Sequence, residues 1–172
     1  LDSRGMLDVL RHGVIDYGGR FKLAFFKPVS GLNPESERLY KLNKLTLTRQ
    51  VKYSLRNENS IDMLLSLNGL PLVVIELKNQ FTGQDVTNAK RQFVENRDPN
   101  ELVFQFKKRA LVFFAVDTDE VYMTTKLEWG KTKYLPFNLG YERGAGNPPN
   151  PNGYKTAYLW ESVLKKDSFM DI

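Results

Sequence analysis

The sequence predicts a mixed fold, α/β or α+β, and three observations predict it. Two adjacent apolar segments, Ile61 to Leu67 and Leu70 to Lys78, are joined by Asn68-Gly69, a strong hairpin signal. Stripes at helical spacing precede and follow that pair. A further apolar strand pattern, Arg109 to Val116, comes after the second stripe, so strands and helices alternate along the chain.

The elements follow in order. Met6, Leu7, Val9, Leu10 and Val14 recur at helical spacing near Gly13, which predicts the end of a helix, with His12 a helix-terminal residue. Phe21 to Phe26 reads as a strand entering a turn at Pro28 to Gly31. Asn33-Pro34-Glu35 opens a helix, with Asn as cap, Pro in the first position and Leu39 and Leu42 as the buried stripe, ending near Asn43. Leu45, Leu47, Val51, Tyr53 and Leu55 share one parity and predict a long strand, interrupted in its apolar series by Arg49.

In the segment Leu70 to Lys78 the apolar residues fall on both parities, as expected for a central strand covered on both faces; only its end turns polar. Val86, Ala89 and Phe93 predict a helix over 82–96, with Thr82 and Asp85 as a capping pair. Val121 to Leu127 is a further strand after the acidic turn Asp117 to Glu120. Four of the eight prolines and five of the twelve glycines lie between Gly130 and Gly153, so 130–157 reads as loop; a final helix is expected over Tyr158 to Lys166.

At 172 residues the chain has the length of one domain, and 41% hydrophobic with 26% charged residues is the balance of a folded one. The expectation is a single domain over 1–172, a fragment of a longer polypeptide. No apolar stretch approaches eighteen residues and the amino terminus lacks a signal peptide's apolar run, which predicts a cytoplasmic protein with no membrane partner. With no cysteine and one histidine, thiol nucleophiles, zinc ribbons and two-histidine catalysis are excluded. Carboxylates, lysines and hydroxyls must carry any catalysis. A net charge of +5 points to a polyanionic partner such as nucleic acid.

Asp62, Glu76 and Lys78 are the residues on which chemistry would converge. Glu76 and Lys78 are two apart on a strand and so project from the same face, at the polar end of an apolar run. Two carboxylates there would bind a hard divalent cation such as Mg²⁺, and a lysine ammonium can orient a water and offset charge on a phosphate. Taken alone, a Glu-x-Lys with an upstream Asp also reads as a cross-strand ion pair. Hairpin parity adds a constraint, because a two-residue Asn68-Gly69 loop pairs Leu67 with Leu70 and puts the two carboxylates on opposite faces. A shared cation therefore demands an odd loop, with Asp62 opposite Glu76, or one β-bulge.

The run Asn68-Gly69-Leu70-Pro71-Leu72-Val73-Val74-Ile75-Glu76-Leu77-Lys78-Asn79 resembles the nuclease core of the R subunit of type I restriction enzymes, a PD-(D/E)xK endonuclease family. So do Arg49-Gln50-Val51-Lys52-Tyr53-Ser54, Ser60-Ile61-Asp62, Thr82-Gly83-Gln84, Arg91-Gln92-Phe93, Arg97-Asp98-Pro99 and Leu135-Pro136-Phe137-Asn138, in order. The resemblance implies a restriction-endonuclease-like mixed central sheet flanked by helices. It also implies an amino-terminal nuclease module that cuts double-stranded DNA with Mg²⁺, in a polypeptide that continues into an ATP-driven translocase. By that similarity Asp62 and Glu76 hold the metal and Lys78 is the catalytic lysine. Partners implied are the modification and specificity subunits and the motor domains of the full-length chain, where ATP would bind.

The resemblance has two departures. Many relatives carry Gln-x-x-x-Tyr on the following helix; here Gln92 is in place as a supporting residue, but position 96 is Asn. An acid from an upstream helix often completes such sites, and Glu35, Glu37 and Asp8 are the candidates, with no choice among them. Arg49, Lys52, Lys90 and Arg91 are the expected contacts to DNA phosphates. Gly130-Lys131-Thr132 lacks the first glycine of a phosphate loop, the position being Thr125, so no ATP site is expected here. The other readings are a standalone repair nuclease of the same fold, and a non-catalytic DNA-binding or assembly module in which Asp62, Glu76 and Lys78 form a structural ion-pair cluster.

Overall fold

A computed structural model describes residues 1–171. Helix α1, Met6–His12, leads into a short hairpin of β1, Val14–Asp16, and β2, Gly19–Phe21. Gly13 joins them at φ +73°, and a Cβ there would stand 2.3 Å from the Phe21 carbonyl oxygen, so only glycine fits. The expected strand over Phe21 to Phe26 does not form: 22–26 is irregular, and only Phe21 is in a strand, as the last residue of β2. Beyond it the side chain of Asn43 takes the place of a neighbouring strand, since its Oδ1 accepts from Phe25 N and its Nδ2 donates to Phe25 O.

Helix α2, Pro34–Leu42, is capped by Asn33, whose Oδ1 accepts from Ser36 N at 3.1 Å. Six strands then form one sheet in the order β3 (Leu45–Lys52), β4 (Ser60–Leu67), β5 (Leu70–Leu77), β6 (Val112–Val116), β7 (Val121–Thr124) and β8 (Leu135–Pro136). Only β5 and β6 run parallel. The crossover between them carries helix α3, Val86–Asn96, which lies on one face of the sheet. Its N-cap is Asp85, which accepts from Thr87 N and Asn88 N while Asn88 returns a bond to Asp85 N. Thr82 is not part of that cap; it ends a separate 3₁₀ turn, Gln80–Thr82, opened by Asn79.

The sheet has a core on each face. Met6, Leu10, Tyr40, Leu65, Leu67, Ile75, Phe114 and Leu159 belong to one, below α1 and α2; Ile61, Val74, Val86, Ala89, Phe93, Phe104 and Phe113 belong to the other, below α3. A strand buried on both sides needs apolar residues at both parities, and β5 has them. The segment 130–157 holds only the two residues of β8 as strand. The final helix is broken into a π-helical turn, Leu159–Val163, and α4, Lys166–Phe169. Its ends are tied elsewhere: Tyr158 Oη donates to Phe137 O, and Tyr40 Oη donates to Asp167 Oδ1 at 2.6 Å. No helix among the described residues is long and apolar enough to cross a membrane.

Candidate active site

The β4–β5 hairpin begins with a two-residue turn and ends with the opposite parity. Asn68 at φ +50° and Gly69 at φ +83° make the turn, and Leu67 pairs with Leu70. Between Leu65 and Ser66 the register shifts, so that Leu65 faces Val73 and Met63 faces Ile75. Of the two solutions that hairpin parity left open, an odd loop or a bulge, the structure has the bulge, and it brings Asp62 abreast of Glu76. The Asp62 Oδ2 accepts from Leu77 N at 2.8 Å, tying the carboxylate to the strand that carries Glu76.

Glu76 is fully buried, and a charge at that depth needs partners. It has two. Arg97, itself 3% exposed, donates through Nε to Glu76 Oε1 at 2.8 Å, with Nη2 at 2.6 Å from the same oxygen. Gln92 Nε2 donates to Oε2 at 2.9 Å. Burial pushes the Glu76 carboxyl up, the Arg97 guanidinium pulls it down and favours the charged form, and the Asp62 carboxylate beside it adds to the rise.

Lys78 reaches the carboxylates only through Gln92. Its Nζ donates to Gln92 Oε1, so one amide accepts from the ammonium and donates to Glu76. Among the described residues Lys78 forms no ion pair with Asp62 or Glu76. The spacing of Gln92 on α3, about two turns beyond the Asp85 cap, aims it back at the end of β5.

Sequence reasoning missed Arg97, Tyr53 and Gln50. Arg97 follows the last residue of α3 and also donates to Ser60 O at 2.7 Å and Tyr53 Oη at 3.2 Å, clamping β4 to the helix end. One signal could have found it: an acid inside an apolar run calls for an internal counter-ion. The upstream-helix acid is a correction. Asp8 is bonded to Arg4 and His12, Glu35 to Arg38, and no group of three or more His, Cys, Asp or Glu that could hold a metal occurs among the described residues. Helices α1 and α2 pack on the other face of the sheet, so Asp8, Glu35 and Glu37 do not join the pair.

The basic residues are dispersed. Arg49 pairs in register with Met63, Lys52 is ion-paired to Glu58 at the surface, Arg91 is exposed, and Lys90 Nζ stands 3.8 Å from the Tyr122 ring centroid. A largely apolar hollow of about 590 Å³ is walled by Leu47, Met63, Leu65, Trp160 and Leu164 and is also lined by Lys78 and Asp117.

Two carboxylates, a lysine and a helix-borne amide gathered at the end of a strand that enters a parallel crossover, on a mixed sheet with helices on both faces, define a restriction-endonuclease-like α/β protein. A family model for the N terminus of the type I restriction enzyme R protein matches residues 22–132, more than half of the chain, and the chain belongs to that family. No curated protein and no solved structure gives a match.

Proposed function

We propose that this chain is the nuclease module of a type I restriction R subunit and hydrolyses phosphodiester bonds of double-stranded DNA with Mg²⁺. The observation that carries the reading is the β-bulge, which sets Asp62 beside Glu76 and so brings two carboxylates close together at the end of β5. Two hard oxygen donors suit Mg²⁺ or Mn²⁺, and a second acid that raises the pKa of a buried first is a donor set that a divalent cation would relieve. When bound there by Asp62 and Glu76, the cation would supply Lewis-acid polarisation of a phosphate oxygen and a more acidic water.

The chain's own residues do the rest. The Lys78 ammonium, steadied by Gln92, presents its remaining donors to a water or to the phosphate oxygens and offsets charge as it grows there. Gln92 keeps the lysine and Glu76 at fixed separation. Arg97 balances Glu76 inside the protein. The ion-pair-cluster alternative is disfavoured, because an amide stands between Lys78 and the carboxylates.

Calorimetric titration tests the reading: the chain is expected to bind Mn²⁺ and Asp62→Asn to lose that binding. Equal binding by both would sink it. In the same reading, Arg49, Lys52, Lys90 and Arg91 contact phosphates, and the module works beside the motor domains of its full-length chain and the modification and specificity subunits, with ATP used only by the motor.

DNA affinity is then backbone-directed. It should fall steeply with salt, and charge reversal at Arg49 and Lys52 should weaken it by the same factor for unrelated duplexes of equal length. A preference of about tenfold for one sequence at moderate salt would mean that base edges are read and would overturn this assignment.

A further inference from the structure

Gln50 breaks two rules of the strand it occupies. It lies inside β3, between the pairs Arg49 with Met63 and Val51 with Ile61, yet its φ is +51°, a left-handed conformation that costs a residue with a side chain. The strand's alternation also fails at this point. Met63 packs into the core below α1, while Ile61 and Val51 pack into the core below α3, although Met63 and Ile61 are two apart on β4 and would share a face in a regular strand. The β3–β4 ribbon therefore turns a corner at Gln50 and Asp62.

The side chain of Gln50 acts at the same corner. Its Nε2 donates to Asp62 Oδ1 at 3.2 Å, and its Oε1 accepts from Ser60 Oγ at 2.9 Å, so the hydroxyl on one side orients the amide on the other. Asp62 Oδ2 is held from the opposite side by Leu77 N. The carboxylate is thus gripped by both neighbouring strands. Persistent left-handed residues gather at functional sites, where the surroundings hold them in place.

We propose that Gln50 is a positioning residue of the candidate metal site: its left-handed backbone turns the β3–β4 ribbon just beyond Asp62, where Ile61 leaves the alternation, and so brings the amide that fixes the plane of the Asp62 carboxylate. The inference rests on the assignment of Asp62 and Glu76 as cation ligands. Partners that orient a ligand contribute about 10–100-fold in metal affinity.

Gln50→Gly separates the two contributions, since glycine keeps the left-handed backbone without strain and removes the amide. The metal-free variant should melt no lower than the parent chain, while its Mn²⁺ affinity by calorimetry falls by about 10–100-fold. Gln50→Asn, which tolerates the same backbone but leaves the amide a methylene short, should show the same loss and decides the matter if the glycine variant does not fold. Mn²⁺ binding equal to the parent in the variant that folds overturns the role of Gln50. If the parent and Asp62→Asn bind Mn²⁺ alike, the ligand assignment itself fails and the role of Gln50 with it.

Discussion

Arg97→Ala is expected to destabilise the fold by about 3–5 kcal/mol, the usual cost of removing one partner from a buried ion pair. The size follows from what stays behind. Glu76 is fully buried and Arg97 gives it two contacts on one oxygen, so without the guanidinium the acid must either keep a charge in a dry core or take up a proton and leave its lone pairs unmatched. Ser60 O and Tyr53 Oη lose a donor in the same step, and the junction between β4 and α3 loosens. Urea unfolding should show a lower midpoint with the slope unchanged. Arg97→Lys should fall between, because an ammonium cannot reach all three acceptors with one planar fork. Combining Arg97→Ala with Glu76→Gln should restore part of the loss, since the two changes share one interaction. A loss under about 1 kcal/mol, the value of an exposed pair, would show that Arg97 does not balance a buried charge.

The acid and the arginine were unequally legible in the sequence. Glu76 and Lys78 stand out because strand geometry is local: a spacing of two fixes one face, and a polar end on an apolar run marks where that face opens. The parity constraint was legible too, since Asn68-Gly69 sets the parity of the hairpin; it left an odd loop and a bulge open, and the structure has the bulge. Arg97 is another matter. It sits 21 residues from Glu76, beyond the last turn of α3, where no periodicity announces which way a side chain points. Gln50 was read past for the opposite reason: Leu47, Val51 and Tyr53 share a parity and so were expected on one face, whereas one left-handed residue sends Val51 and Tyr53 to the core below α3. Asn43 likewise replaced an expected strand at Phe25 by side-chain bonds that sequence patterns do not register. The resembling motifs from Arg49 to Asn138 supplied order along the chain, and local geometry supplied the constraint on the carboxylate pair; tertiary counter-charges and backbone corners needed the fold.

Lys78→Ala is expected to reduce cation-dependent cleavage of double-stranded DNA by the assembled enzyme by roughly 10²-fold or more, the effect of removing one preorganised donor from a developing charge. The side chain is half-buried and bonded to Gln92, and it takes no part in the Glu76–Arg97 pair, so its loss leaves the buried charge balanced. The variant should therefore melt close to the parent, and ATP-driven translocation, which the proposed reading places in the motor domains, should continue. Gln92→Ala should give a smaller loss of cleavage, because it frees the ammonium without deleting it and removes one bond from Glu76. Cleavage and translocation are measured on the same preparation, with circular dichroism reporting the fold. Equal loss of both activities would count against a catalytic lysine and in favour of a joint that couples module to motor, while undiminished cleavage would remove Lys78 from the chemistry and leave the two carboxylates to act without it.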